Sequence, residues 1–290
     1  LDGKTVVIKG GDYNFGSPVW TNQGARLTYS GNKFTWVPNA PPASWSNIGD
    51  AQSVILADGR YMQVSCCFGT NQQSAFCTGP STLTLNNNIV GVDDDEVAYT
   101  LLPSGKVLLV DAWATSYSSF GSSELFDPTT NTWSCGATTP VQLWDNSGHE
   151  LGPNVVVHNG KTFQVGATTA TDVYNPATNS WSAGPTPQNG LTGYDAPASV
   201  EFNGKVLEMV GPPGFGSGCQ FIEYDPASNT LSNTANPADC PGDPSYVGHL
   251  MVLPTGQIMF TDFAARSKFI TPREALIQWR DPLSLLLQPI

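Results

Sequence analysis

The chain has 290 residues, a formal net charge of −12, only 12% charged residues, and 29 Gly and 23 Pro. This length and turn-rich composition suit an all-β barrel, sandwich or propeller of short strands. The acidity (pI near 4.4) argues against a nucleic-acid or anionic-membrane surface and favours cations, basic ligands or neutral polar ligands. No apolar run approaches a membrane span, and the start, LDGKTVV, does not read as a signal peptide, which fits a mature chain or one never secreted.

Taken in chain order, the predicted elements repeat one scheme. A Gly turn followed by a long polar residue occurs as LDGK (1–4), ADGR (57–60), PSGK (103–106), HNGK (158–161), FNGK (202–205) and PTGQ (254–257). The runs after these turns, TVVIKG, YMQVSC, VLLVDA, TFQVGA, VLEMVG and IMFTD, read as strands. All but the first turn also have a strand-like run before them. Such a turn between two β-rich runs is a hairpin, because Gly or Asn supplies the positive φ that the twist needs. A second motif follows the hairpins: DPTTNTW from Asp127, NPATNSW from Asn175 and DPASNTL from Asp225. Pro presets the turn, Asp or Asn bonds its backbone, and the later Asn tolerates a left-handed conformation. Trp133 and Trp181 then open an outer strand and are expected to seal blade seams.

Each unit is therefore a four-stranded antiparallel meander, a propeller blade. The first copy begins at its hairpin turn and lacks an inner strand, and SLLLQPI (284–290) is the candidate to supply it. The expected fold is a single six-bladed β-propeller closed by this C-terminal strand. Its blades are approximately 1–45 plus 284–290, 46–92, 93–143, 144–190, 191–242 and 243–282.

The pattern Y/F-[DN]-P-x-[ST]-N-x-W after a Gly-turn hairpin resembles the kelch-like repeats of galactose-oxidase-type propellers. The resemblance covers nearly the whole chain and departs from ordinary kelch where a Gly-Gly pair ends the second strand only once, at Gly10-Gly11. It implies the fold and little about function, since such propellers host oxidases, isomerases, lyases, lectins and scaffolds. The family's copper radical oxidases carry Tyr-His before an LLPDG-like turn. Here YVGHLMVLPTG (246–256) places Tyr246 on that Tyr and Val247 on the His, so copper is not expected.

Aligning the Gly turns brings the starts of the innermost strands to one mouth of the channel. Asp50, Glu96 and Asp195 align there, with Asp95, Glu150, Tyr194 and Tyr246 one position earlier and His149 two earlier. Converging carboxylates raise each other's pKa unless a cation or donor compensates. Three readings stay open. Asp50, Glu96 and Asp195 hold Ca²⁺ or another divalent cation. Alternatively Glu96, Glu150, His149, Tyr246 and His249 handle protons in catalysis. In the third reading the acids bond turn amides beside a solvated channel. Trp45, Trp113 and Trp144 lie in connections to the same mouth, where ring faces and acids suit a sugar, with Asp50, Asp95, Asp195 and Tyr194 as further ligand groups.

The six cysteines match no zinc pattern, and an even count leans to an oxidising, extracellular setting over a cytoplasmic one. A Cys219–Cys240 bridge would brace the rim, Cys77 would pair with Cys66 or Cys67, and Cys135 with the remaining one. The sequence thus points first to a secreted, monomeric propeller binding a carbohydrate or small polar molecule at the acidic mouth, with no nucleic-acid or membrane partner. The alternatives are a glycan- or small-molecule-processing lyase, hydrolase or isomerase at that mouth, and a protein-binding scaffold.

Overall fold

A computed structural model describes residues 5–11, 13–14, 17–65, 73–77, 83–88, 96–113, 122–262, 268–271 and 276–278. The chain divides into two compact units, Leu1–Thr138 and Thr139–Ile290.

In the first unit, β1 (Thr5–Lys9) is followed by a small hairpin, β2 (Tyr13–Asn14) with β3 (Ser17–Pro18), and then by β4 (Gly24–Ser30) and β5 (Lys33–Pro38). The first sheet has the order β1-β4-β5. Val7 of β1 packs on a cluster of Trp45, Ile48 and Tyr61. The opposite face is open: Val6 is 56% exposed, Ile8 54%, Phe34 70% and Trp36 53%. Gly10 is required where this sheet meets the next. At φ +69 its Cβ would fall 2.0 Å from the Gly49 carbonyl, which accepts from Gly11 N at 2.7 Å.

Two four-stranded sheets follow. One comprises β6 (Ser53–Ile55), β7 (Tyr61–Val64), β8 (Gln73–Cys77) and β9 (Leu83–Asn88). The other comprises β10 (Thr100–Leu101), β11 (Val107–Val110), β12 (Ser123–Asp127) and β13 (Thr132–Cys135). Leu56 and Met62 of the former pack on Val107, Leu109, Phe126 and Trp133 of the latter. Trp133, 8% exposed, belongs to this cluster spanning the two sheets, and its ring lies 5.2 Å from Phe126, its cross-strand partner.

The second unit holds three four-stranded sheets: β14 (Asn154–Val156), β15 (Thr162–Val165), β16 (Thr171–Asn175) and β17 (Ser180–Ala183); β18 (Ala198–Val200), β19 (Val206–Val210), β20 (Gln220–Asp225) and β21 (Thr230–Asn233); and β22 (His249–Val252), β23 (Ile258–Thr261), β24 (Lys268–Thr271) and β25 (Leu276–Gln278). Alternate residues of each strand face the neighbouring sheet, as the two-residue period requires. Phe163 stacks on Tyr224 at 3.7 Å between the first pair, and Phe221 meets Phe260 edge-on at 5.2 Å between the second. Each fully buried ring of this kind contributes roughly 1.5–3 kcal/mol.

The repeated turns work as their residues dictate. Asp127, Asn175 and Asp225 each accept, through Oδ1, the backbone amide two residues on, at 2.9, 3.1 and 2.8 Å. Asn131, Asn179 and Asn229 are left-handed. Asn179 and Asn229 accept hydrogen bonds from Tyr174 and Tyr224 at 2.9 and 3.0 Å, tying the turn to its own blade.

One expectation needs correcting. Among the described residues five sheets have four strands but the first has three, so a ring of six four-stranded blades closed by the C-terminal strand is not what the structure shows. Among the described residues β1 pairs with β4 alone, and 284–290 lie outside them.

Candidate functional site

In the second unit the site is built on short connections that lead into the innermost strands. The first is the loop 145–150, sequence DNSGHE. The Asp145 carboxylate organises it, accepting from Ser147 N (2.8 Å), Ser147 Oγ, Gly148 N (3.0 Å) and Glu150 N (2.9 Å). The Tyr194 hydroxyl donates to the same carboxylate. Burial alone would raise the Asp145 pKa, but these donors outweigh it and hold the group well below the usual carboxylate range. Tyr194 responds in the opposite sense: burial, and then its bond to Asp145, push the phenol up to about 12. The loop is closed so tightly that His149 takes a left-handed φ of +62.

The second connection is the turn 193–196. Ala196 N donates to the Gly193 carbonyl at 3.1 Å, and Asp195 stands at φ +43, its side chain exposed. A carboxylate oxygen of Glu150 lies within 4.8 Å of one of Asp195. Gly193 has no room for a side chain, since its Cβ would fall 2.9 Å from Val165 and 3.0 Å from the Glu208 carboxyl.

The third connection is the loop after β19, where Phe215 stands at φ +63 between Gly214 and Gly216. Its ring, 40% exposed, meets Tyr194 at 4.9 Å and Tyr246 at 5.3 Å, both edge-on. Tyr246 is half-buried in a short 3-10 turn, Ser245–Val247, whose Ser245 Oγ donates to the Tyr194 carbonyl at 2.7 Å. The Cys219–Cys240 disulfide ties the end of this loop to the 3-10 turn Cys240–Gly242, as the sequence suggested, with a Cα separation of 5.1 Å.

The second unit thus brings together Tyr194, Tyr246, Glu150 and Asp195 from the expected set, on connections tied by Asp145 and Ser245. His149 is half-buried on the same loop as Glu150. His249 is exposed on β22, paired with Thr261 across the ladder. Trp144, expected on the rim, is 3% exposed and cannot stack on a ligand. In the first unit Trp45 is 5% exposed, sealed against Ile48 and Tyr61, and is corrected in the same way: a large ring at a blade connection is worth more in the seam than at the surface. Trp113 is half-buried, its amide donating to Asp111 at 2.8 Å. Asp50 is exposed after the left-handed Gly49, and Glu96 is half-buried at φ +58. Asp95, Cys66, Cys67 and the acidic run before Glu96 lie outside the described residues. Cys135 is a free thiol.

Sequence reasoning missed Asp145, Phe215 and a second acidic group. The D-x-S-G pattern of a side chain capping its own turn was the signal for Asp145. A lone aromatic residue in GPPGFGSG was the signal for Phe215. Asp239, Asp243 and Asp262 have carboxylate oxygens within 4.8 Å of one another. No local spacing announces that group, because Asp262 comes from the end of the next hairpin.

No protein-family profile matches the chain, and no curated relative does. Among solved structures it is similar to a fungal alcohol oxidase of the AA5 family, in complex with copper, with a TM-score of 0.70, 12% identity, and coverage of 96% of this chain and 63% of that one. The chain therefore spans a little under two-thirds of that protein's length. At such low identity the likeness speaks for architecture alone, and together with the sheets described above it supports an all-β propeller fold like that of the AA5 protein.

Proposed function

We propose that this chain binds a carbohydrate, or a similar hydroxyl-rich neutral molecule, at the connections 145–150, 193–196 and 212–218 of its second unit. The observation that carries the reading is Phe215: a large ring held partly in solvent at a left-handed φ and braced by Tyr194 and Tyr246. Tyr194 directly precedes Asp195, whose carboxylate lies within 4.8 Å of that of Glu150. Ring faces pack on the C–H surfaces of a sugar while carboxylates accept from its hydroxyls. The similarly folded AA5 protein is an alcohol oxidase, an activity that also concerns a hydroxyl-bearing molecule. The disulfide and the acidic, lysine-poor composition support an extracellular setting.

The neighbour's copper does not carry over. Val247, 4% exposed, stands where the resemblance calls for a His beside Tyr246, and the acidic groups that converge among the described residues offer hard carboxylate oxygens rather than imidazole. Catalysis on a bound sugar is the second reading, favoured by the adjacency of Glu150 and Asp195.

A glycan array followed by calorimetry on the best ligand tests the first reading. Phe215→Ala and Tyr246→Ala should each weaken binding by about tenfold or more, on the order of 1–2 kcal/mol. Unchanged affinity in both variants rejects the site. Release of reducing ends or unsaturated products, abolished by Glu150→Gln, would move the conclusion to the second reading.

A further inference from the structure

The third position of the second strand carries Gln63 in β7, Gln164 in β15 and Glu208 in β19. The two amides do one job. Gln63 Nε2 donates to the carbonyls of Ala51 (3.0 Å), Gln52 (3.0 Å) and Val64 (3.1 Å). Gln164 Nε2 donates to those of Gly152 (2.6 Å) and Val165 (3.2 Å). Each thereby fastens the start of the innermost strand to the strand beside it. The equivalence extends to β19, because Val64 N, Val165 N and Met209 N all donate to matching carbonyls, of Gln52, Pro153 and Pro197, at 3.3, 3.1 and 3.2 Å. By that alignment the carbonyls facing Glu208 are those of Ala196 and Met209. Ala196 ends the turn that presents Tyr194 and Asp195.

An ionised carboxylate has no hydrogen to give to a carbonyl, whereas a neutral acid has one. Glu208 is 1% exposed, and neither of its carboxyl oxygens has a hydrogen-bond partner among the described residues. Its Oε1 lies against the turn, 3.0 Å from where a Gly193 Cβ would stand. We propose that Glu208 is a proton-dependent positioning residue: in its neutral form it donates to the strand-start carbonyl as Gln63 and Gln164 do and holds the 193–196 turn, and on ionisation it releases that turn. The proposal rests on the carbohydrate reading only in giving the turn a role in binding.

Burial pushes the Glu208 pKa well above the usual carboxylate value, with no charged neighbour among the causes. The titratable groups on the elements packed around it include Glu201, Lys205, Glu223, Tyr224 and Asp225 of its own sheet, Tyr194 and Asp195 of the turn, Glu150, Asp172 and Tyr174 of the preceding blade, and Tyr246 and His249 of the following one. The sign follows from the raised value. The folded state binds a proton that the unfolded state has lost, so the stabilisation is complete below the unfolded pKa near 4.3 and is lost as pH rises through the folded value.

The test compares the whole chain with Glu208→Gln, which keeps a donor at every pH. Hydrogen exchange is read as protection factors for the amides of Ala196 and Met209, so that intrinsic base catalysis cancels. In the parent, protection should fall by about tenfold or more between about pH 5 and about pH 9, and in E208Q it should hold within about twofold. Melting temperature should fall less steeply with pH in E208Q than in the parent. Parallel profiles in the two proteins overturn the proposal. Should E208Q fail to fold, carboxyl-labelled glutamate in the parent decides by NMR. A carboxyl resonance assigned to Glu208 that is still protonated at about pH 8 supports the proposal, and its full ionisation there overturns it. None of these readouts uses a sugar, so the carbohydrate reading and this one can fail separately.

Discussion

Two aspartates of one blade in the second unit occupy opposite environments. Asp145, in the connecting loop, is saturated with donors from Ser147, Gly148, Glu150 and Tyr194, and its pKa is depressed. Asp172, on β16 opposite Gln164, is 0% exposed, neither of its carboxyl oxygens has a hydrogen-bond partner among the described residues, and burial raises its pKa to about 8. The same side chain therefore acts as an anion where it builds the site and as a neutral acid where it fills the blade. The difference shows that an acidic composition does not by itself reveal where the negative charge sits.

The two carboxyls also drive stability in opposite directions. Asp145 is below its unfolded value near 3.9, so its contribution is present above that pH and is lost as pH falls through the folded value. Asp172 is above it, so its contribution is complete below about pH 4 and is lost as pH rises towards 8. The largest expected effect supplies a baseline. Phe163→Ala removes the ring stacked on Tyr224 and should cost about 3–5 kcal/mol by urea unfolding, equally at acid and alkaline pH. A strongly pH-dependent loss would mean that apolar packing and the buried acids are not separable.

Next comes Asp145→Ala, which strips five donor groups of their acceptor and should cost about 1.5–3 kcal/mol near neutral pH. That cost should shrink in acid, and a cost that does not change with pH would remove the contrast. Asp172→Asn should act oppositely, raising the melting temperature by a few degrees at about pH 8 and changing it little at about pH 5. A drop at pH 8 would show that the carboxyl is ionised and paired after all. Smallest is Tyr194→Phe, which removes one hydrogen bond to Asp145 and should cost about 1 kcal/mol. It should also return the Asp145 pKa part of the way towards its ordinary value, measurable by carboxyl NMR.

The blades were legible because their determinants are local. Gly160 and Asn179 each satisfy a turn within a few residues, and the spacing of such turns counts hairpins directly. The same locality explains the failure at the first sheet. LDGKTVVIKG announces a hairpin, but which strand lies beside β1 depends on distant residues, and the inserted hairpin β2–β3 left no periodic trace. Strand-start alignment singled out Tyr194, Asp195, Glu150 and Tyr246, which stand on neighbouring connections of the second unit. It misplaced Trp45 and Trp144, because a ring in a connection reads alike whether it turns to solvent or to the seam. Asp145 and Phe215 escaped because their roles arise from hydrogen bonds and ring contacts between separate connections.

The open face of the first sheet bears on how this protein behaves in a tube. Val6 is paired through Leu27 with Trp36, and Ile8 and Phe34 stand two residues along on the same face, so the exposed groups form one continuous oily strip. A net charge of −12 keeps such molecules apart in dilute buffer. Added salt screens that repulsion while leaving the strip untouched. Light scattering that grows with salt and protein concentration, and that Trp36→Ser or Phe34→Ser suppresses, is the expected colloidal signature of this surface.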